Sequence, residues 1–519
     1  MIYLIKILKK DMQKLLSKKI INKDDFYNTL QEIKKNNNKI VLCHGVFDLL
    51  HFGHINYFRE AKKLGDTVIV SLTSDKFVLK GPGRPHFNFK NRAKVISELS
   101  SVDYVIESDA ETAEDIIKFI KPNIYFKGAD YKNKNSDISM NIGREIKIVK
   151  KYKGTIKYSD EESFSSSSIL NDELVGEQKI IVDYIKKNYD ENFFIKLFSR
   201  LKKIRILVIG EAIIDKYLMV NVLGKSGKEP ILNFEEVGEK PFLGGVLAIA
   251  NNISNFVKNV KIISFLGSTN SQLNFIKKRL NKNVNFDFLF KKNYPTMMKT
   301  KIVEKNHHHK FFGLYNFSDN NFSKNEKKIL KQKILKSLKK FDLITVSDYG
   351  HNFIEEGLSN ILKKEKKLIV NTQINAANIG YHTISKYKGV NCAIINEVEL
   401  RHELKNKYSD IKVLLPKLSK KLKINYLIVT VGKNGSYGYD LKNNDIYYCP
   451  AFAKDVTDKL GAGDAYLSIF SAIYSLGIKD LKLLMFISSL GTLDVIKSLG
   501  NSNSVSFKSL IKSIIYLIK

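Results

Sequence analysis

The sequence predicts an α/β protein of two domains, each built on a largely parallel sheet, and three observations carry that prediction. Short apolar runs alternate with helix-patterned segments between residues 38 and 171, the pattern of parallel strands joined by crossover helices. The alternation returns from residue 204 to 519 after a helical stretch over 172–203. A polar, glycine-containing turn follows a predicted strand at "CHGVFDLLHFGH", and a second, "DKLGAGDAY", opens a helix. In open parallel sheets, ligands bind beyond the carboxyl ends of strands.

Taken in order, residues 1–37 read as polar helix. "KIVLCHGVFD" is a strand running into a turn, and "HINYFREAKKLG" is a helix closed by Gly65, where a C-cap glycine is expected. "DTVIVSLTSD" gives the next strand, and "NRAKVISELSSVDYVIES" a helix and a strand. "AEDIIKFIKPNIYFKGADY" repeats that order. Residues 172–203 read as a helical linker. Beyond it "IRILVIGEAIID", "FDLITVSDYG", "KKLIVNTQ", "NCAIINEVEL" and "NYLIVTVGKNG" are buried-strand runs separated by helices. No repeat relates the two halves.

Composition narrows the class. At 519 residues and 44% hydrophobic content, the chain is long enough for two or more real cores. Three scattered cysteines, Cys43, Cys392 and Cys449, lack CxxC spacing and fit a reducing compartment. The opening "MIYLIKILKK" is broken by lysines too early for a signal peptide, and no run reaches the length of a membrane span. A cytoplasmic enzyme without membrane contact is expected. The net charge of +33 raises a nucleic-acid reading. The lysines, however, are spread along the whole chain rather than gathered in one arm. No nucleic-acid partner is expected, and the excess charge favours phosphorylated substrates.

Three of the ten histidines, His44, His51 and His54, lie within eleven residues at the first strand–helix junction. A helix start offers free N–H groups and a positive dipole end to phosphate. His51 and His54, three apart, can reach one phosphate group, and Gly45 and Gly53 let backbone approach it. A zinc reading lacks a third ligand and a HExxH-like helix. A plain core reading would bury dense polar groups at a cost.

"GVFDLLHFGH" matches the GxFDxxHxGH signature, and the chain here resembles the cytidylyltransferase-like nucleotidylyltransferases, with a Rossmann-like parallel sheet. "LKGPGRPHFNFKNRAKVISELSSVDYV", "YFKGADYK" and "ESFSSSSIL" resemble successive motifs of the adenylyltransferase half of the bacterial bifunctional heptose kinase/adenylyltransferases, over about 38–171. The resemblance implies that His51 and His54 hold a nucleoside triphosphate and stabilise charge on phosphorus. It places Gly45, Phe47, Asp48, Gly53, Lys127, Gly128 and Asp130 on the nucleotide. Ser165, Ser166 and Ser167 would bind phosphate, and Lys80, Arg84 and Arg92 phosphate or substrate. Mg²⁺ would bridge phosphate oxygens. The acidic "SDEESFSSSS" replaces the arginine that glycerol-phosphate cytidylyltransferases carry there, which favours ATP over CTP.

In the second half, "GKS" at 224–226 fails as a P-loop because Met219 stands where a glycine is required. "TDKLGAGDAYLSIF" is stronger. Its glycine-rich turn opens a helix, so N–H groups of Gly461, Ala462 and Gly463 can cradle a transferring phosphate. Asp464 can take the proton of an attacking hydroxyl. With "LGGVLAIANNI", "SDYG", "INEVEL" and "VTVGKNG" upstream, residues 204–500 resemble the ribokinase-type (PfkB) carbohydrate kinases, an α/β sandwich with a small β-lid. The resemblance implies that Asn396 and Glu399 organise Mg²⁺ and phosphates, and that Thr430, Gly432 and Gly435 approach ATP. Asp215, Gly244, Gly245 and Asn252 would face the sugar. A lid from 216–240 and 296–315 would close over it, and lid pairing implies a homodimer. "HHH" at 307–309 reads as lid strand, with alternation splitting the three rings between faces. Several positions depart from the pattern. Ala248 stands for a substrate-facing asparagine, His351-Asn352 for Lys-Gly, and Glu211 for Asp or Asn.

Together the halves imply a multifunctional transferase of carbohydrate metabolism, in domain order reversed from the heptose enzymes. Its kinase would phosphorylate a sugar or sugar phosphate with ATP. Its other half would transfer a nucleotidyl group, AMP in the first instance, to a sugar 1-phosphate for nucleotide-sugar synthesis. The rivals are a cytidylyltransferase making a CDP-polyol or CDP-alcohol, and a basic nucleic-acid-binding protein on an enzyme fold.

Overall fold

The computed structural model describes residues 19–131, 142–160, 176–317, 321–453 and 456–518. The chain divides into two compact units, one running to Val175 and including Ile511–Leu517, the other spanning Gly176–Leu510 with Ile518.

The first unit holds five parallel strands, β1 (Ile40–Gly45), β2 (Thr67–Thr73), β3 (Tyr104–Ser108), β4 (Ile124–Lys127) and β5 (Thr155–Tyr158), in the order β3-β2-β1-β4-β5. Helices cover both faces, so the strands read as continuous apolar runs. Along β1, Ile40 and Leu42 enter one core with Ile69, Ile106 and Tyr125. Val41 and Cys43 enter the other with Phe58, Val70 and Phe126. The helix Phe26–Lys35 packs Phe26, Leu30 and Ile33 into the first core, so the segment before residue 38 is part of this unit. Gly65 follows the helix Phe52–Lys63 but is not in the left-handed region. A glycine is needed there because a Cβ would sit 2.6 Å from the Lys39 carbonyl oxygen.

The second unit holds two sheets. The larger is formed by β6 (Arg205–Gly210), β9 (Asn259–Gly267), β10 (Val284–Lys291), β13 (Leu343–Asp348), β14 (Leu368–Thr372), β15 (Cys392–Asn396), β16 (Tyr426–Thr430), β17 (Ser436–Asp440) and β18 (Asp445–Cys449). These nine strands run in the order β10-β9-β6-β13-β14-β15-β16-β17-β18. Pairing is parallel from β10 to β16 and antiparallel for the last two strands. The smaller sheet is formed by β7 (Ala212–Lys225), β8 (Leu232–Gly245), β11 (Met298–Glu304) and β12 (Lys310–Asn316), in the order β12-β11-β7-β8. This is the expected lid. His307–His309 lie in the turn between β11 and β12, with His308 at φ 57°, so strand alternation does not apply to them. Among the described residues no cluster of three metal-ligating side chains exists, and no helix is long and apolar enough to cross a membrane.

The helices Glu177–Asn188 and Glu191–Leu201, expected as a linker, belong to the second unit. Tyr184 and Tyr189 donate hydroxyl bonds of 2.9 and 2.6 Å to Asp480, and Phe194, Leu197 and Phe198 are buried. Their apolar stripe is what makes them part of the fold rather than a tether.

Phe26 has no exposed surface. Phe26→Ala is expected to cost about 3–5 kcal/mol of first-unit stability. The check is buried Cys43, whose reaction with a thiol reagent should begin at lower urea, as followed by mass spectrometry.

Candidate active sites

In the first unit the strand order reverses at β1, which lies between β2 and β4. The carboxyl ends of β1 and β4 therefore flank the crevice in which such sheets bind ligands. His51 caps the helix Phe52–Lys63, its ring 4.0 Å from that of His54, and its amide donates to His54 Nδ1 at 3.4 Å. A His54 that accepts at Nδ1 carries its proton on Nε2 and can donate there. Burial, then the nearby His51 and Lys80, holds the His54 pKa down at about 3. Lys80 is itself brought down to about 8, first by desolvation and then by Arg84. Lys127 ends β4 with its ammonium 3.9 Å from Glu145 and 4.4 Å over the Tyr131 ring. Glu145 gave no signal in the sequence. It accepts from Tyr125 Oη at 3.0 Å and from the Ala113 amide at 3.1 Å. His44, at the exit of β1, is bonded to Ser71 Oγ at 3.1 Å and stays neutral, its pKa lowered to about 4 by burial.

Several expected contacts have other work. Asp48 is almost fully buried and accepts the amides of His86 at 2.8 Å and Phe87 at 3.0 Å, with Arg84 at 3.5 Å. Its carboxylate clamps the 84–87 turn instead of facing a nucleotide, and Arg84 is part of that clamp. Arg92, expected on phosphate or substrate, is 2% exposed. Its guanidinium bonds the carbonyls of Phe87, Val46 and Thr73 and the Asp75 carboxylate. Its donors therefore tie three loops together. Phe47, at φ 47°, turns its ring edge-on to His54 at 5.5 Å and packs on Phe58, so it buttresses the histidine. Gly45 leaves room for that ring, since a Cβ would lie 3.0 Å from it. Gly53 sits in the first turn of the histidine helix, and Gly128 follows Lys127 in open space. The Asp130 side chain and Ser165–Ser167 lie outside the described residues.

The second site is a cavity of about 380 Å³ between lid and main sheet. Asp464 stands in the first turn of the helix Ala462–Tyr474, capped by Gly461 at φ 80°. A Cβ on Gly461 would run into Asn501 Oδ1, so only glycine fits. The Asp464 carboxylate accepts from Tyr349 Oη at 3.0 Å and Gln373 Nε2 at 3.1 Å. Burial nevertheless lifts its pKa to about 6, in the range suited to a general base. Asp215, Gly245, Asn396, Glu399, Thr430, Gly461 and Gly463 share the cavity with it. Ala462 follows Gly461 at the helix start. Gly244 lies beneath Asp215, where a Cβ would strike the carboxylate.

Glu399 and Asn396 form a reciprocal cap. Glu399 accepts the Asn396 and Ile374 amides at 2.7 and 3.1 Å, and Asn396 Oδ1 accepts the Glu399 amide at 2.9 Å. Desolvation raises Glu399 to about 7. A single desolvated carboxylate facing a phosphate cradle fits Mg²⁺, which keeps most of its shell as water and phosphate oxygen.

Three expected kinase residues are placed elsewhere. Asn252 Oδ1 accepts the Val505 amide at 3.0 Å, and the residue lines a smaller, separate cavity with Ala248. Its side chain anchors the loop at Val505. Gly432 and Gly435 bracket a turn outside the main cavity, and Gly435 is required because a Cβ would meet the Cys449 carbonyl.

Four cavity residues are not among the expected site residues, although Tyr349 lies within "SDYG" and Gln373 ends "KKLIVNTQ". Lys299 and Lys301 project from β11, two apart and so on one face. Tyr349 and Gln373 follow β13 and β14. Their position just past parallel strands was the available signal. Beneath them, fully buried Glu211 accepts the Tyr349 and His351 amides at 2.9 and 3.1 Å.

Residues 203–491 match the family of pfkB family carbohydrate kinases, and residues 42–172 match the Cytidylyltransferase-like family. The first match covers more than half of the chain, which belongs to the pfkB carbohydrate kinase family. The chain thus fuses a cytidylyltransferase-like domain to a carbohydrate kinase domain that follows it. Its N-terminal region is similar to the bifunctional protein HldE. It is 40% identical to that of Campylobacter jejuni over 155 residues, 30% of this chain and 31% of the relative. It is 35% identical to that of Helicobacter hepaticus over 161 residues, 31% of this chain and 33% of the relative. The chain therefore spans only 31% and 33% of the length of these curated relatives. Among solved structures, ribokinase from Giardia lamblia is 15% identical, covering 60% of this chain and 99% of its own with TM-score 0.48. Phosphofructokinase-2 from Escherichia coli in complex with potassium is 13% identical, covering 61% and 100%, with TM-score 0.48.

Kinase activity should fall as pH drops through about 6, where Asp464 takes up a proton. The Tyr349 hydroxyl favours the anion. Tyr349→Phe should therefore move this acid limb upward in a pH profile of kcat.

Proposed function

We propose that the kinase domain phosphorylates a sugar phosphate with ATP, and that the N-terminal domain transfers AMP from ATP to a sugar 1-phosphate, releasing pyrophosphate. One observation carries the choice of a phosphorylated acceptor. Lys299 and Lys301 are largely buried beside Asp215 and Asp464, and among the described residues neither makes an ion pair. Lys299 lies over the rings of Tyr315 and Tyr349, 5.5 and 5.3 Å away, and feels the charge of Asp215. Desolvation lowers the pKa of both lysines. Asp215 and the neighbouring acids offset that desolvation only in part, and an anionic acceptor would add the missing counter-charge.

Asp464 draws the proton from the acceptor hydroxyl, and the N–H groups at Gly461–Gly463 receive the transferring phosphoryl group. Glu399 would hold Mg²⁺, which neutralises charge on the nucleotide phosphates. In the N-terminal domain the sugar phosphate is itself the nucleophile, so no general base is required. His51, His54 and Lys80 act on the triphosphate, donating to the charge that grows as pyrophosphate leaves. Lys127 contributes a further positive charge at the end of β4. The product of one domain belongs to the substrate class of the other, which suits synthesis of nucleotide-sugar precursors. Exposed Phe312, Leu314, Leu223 and Leu232 on the lid strands support a homodimer formed through the lid. The buried free thiols support a reducing, cytoplasmic setting.

Asp464→Asn should cut phosphoryl transfer by about 10²–10⁴-fold and leave nucleotidyl transfer intact. His54→Ala should do the reverse, by about 10²–10³-fold. Coupled assays of ADP and pyrophosphate release, over sugars and sugar phosphates with ATP or CTP, check both. Pyrophosphate released only with CTP and a polyol phosphate would replace the adenylyl reading by the CDP-polyol one. Lys299→Met should raise KM for a sugar phosphate far more than for a neutral sugar.

A further inference from the structure

Asp458 lies three residues before Gly461, on the loop that leads into the phosphate-cradling turn, and its side chain is 1% exposed. Four donors converge on it. Tyr217 Oη, from β7 of the lid, donates at 2.5 Å. The Lys310 ammonium, from the start of lid strand β12, forms an ion pair with it. The amides of Leu460 and Gly500 donate at 3.0 and 2.9 Å. The Lys310 ammonium also lies 5.1 Å over the Tyr217 ring.

Two lid strands therefore meet, on one buried carboxylate, the backbone that sets the cradle. The same strands carry acceptor-side groups. Asp215 lies two residues before Tyr217 on β7, and β11, which pairs with both β7 and β12, carries Lys299 and Lys301. We propose that Asp458 is a latch through which the seated lid, by way of Lys310 and Tyr217, holds the Leu460–Gly463 cradle in place for phosphoryl transfer. Lys310 is then a positioning residue of the kinase, acting through Asp458 on the phosphate site. Seating the lid and holding the cradle thus become one event. The Lys310 side chain is partly exposed whereas Asp458 is enclosed, so Lys310 can be changed with less disturbance of the core.

The latch rests on the kinase reading, and two measurements on the full-length protein keep the two apart. Lys310→Met retains the aliphatic stem and removes the charge, and Lys310→Arg restores it. In kinase assays with ATP and a sugar-phosphate panel, Lys310→Met should lower kcat about tenfold or more. Lys310→Arg should stay within a few-fold of wild type. Pyrophosphate release by the first domain should not change. In hydrogen exchange without substrates, amides of Leu460–Asp464 should exchange faster in Lys310→Met, with those of Phe26–Lys35 unchanged. Equal exchange at Leu460–Asp464 in Lys310→Met and wild type overturns the latch. So does equal loss of kcat in the Met and Arg variants in step with lowered Tm. A wild-type protein with no kinase activity on the panel overturns the proposed acceptor class, while the exchange measurement still decides the latch.

Discussion

Buried carboxylates that hold backbone amides fix the loops at the carboxyl ends of both parallel sheets. A strand that ends in a loop leaves N–H groups without ladder partners, and buried donors must be paired. Asp48 pairs two in the 84–87 turn, Glu211 two at Tyr349 and His351, Glu399 two at Ile374 and Asn396, and Asp458 two at Leu460 and Gly500. Each anion is desolvated, and each is made tolerable by the dipoles it accepts. What results is geometry, because each clamped loop carries or supports a side chain that faces a site.

The electrostatics of the sites follow from this use of acids. With Asp48, Glu211 and Asp458 engaged in structure, lysines near them lack full compensation. Lys80 is pushed down to about 8, and Lys299 and Lys301 are also lowered. The surplus of positive charge is therefore local and directional, set where phosphate groups would lie. The spread of lysines along the sequence could not reveal this, since only the fold separates solvated lysines from buried ones.

Strand runs, crossover helices and the two glycine-bearing turns are legible in the sequence because their periodicity and turn chemistry are local, whereas the lid is expected from the family resemblance. Residues whose role depends on which loop lies across from them are not. Arg92 and Asp48 stand within motifs that suggest ligand contact, yet their partners are loops brought close only by the fold. Asn252 is engaged by the Val505 amide, 253 residues onward, and lines a cavity other than that of Asp464. Gln373 and Tyr349 escape notice for the opposite reason. Neither residue type marks a catalytic site by itself, and both gain meaning from converging on Asp464. Gly65 stands where a C-cap glycine is expected but for a different reason, its close approach to the Lys39 carbonyl rather than a positive φ.

The layer beneath Asp464 shows how far such clamping reaches. Glu211 and Asp348 are neighbouring buried acids, and burial together with the Asp348 charge raises Glu211 to about 7. Asp348 is bonded by Tyr387 Oη at 2.6 Å and paired with Lys386 at 2.5 Å. Glu211 takes up a proton as pH falls through about 7. Its charge strengthens its grip on the Tyr349 and His351 amides, and the Tyr349 hydroxyl is what steadies the Asp464 anion. Protonation of Glu211 and of Asp464 should therefore reinforce each other. A loosened Tyr349 turn weakens the bond that favours ionised Asp464, so the acid limb of the kinase should be steeper than a single proton gives. Glu211→Gln, which keeps the shape and removes the charge, should return it to the slope of one proton.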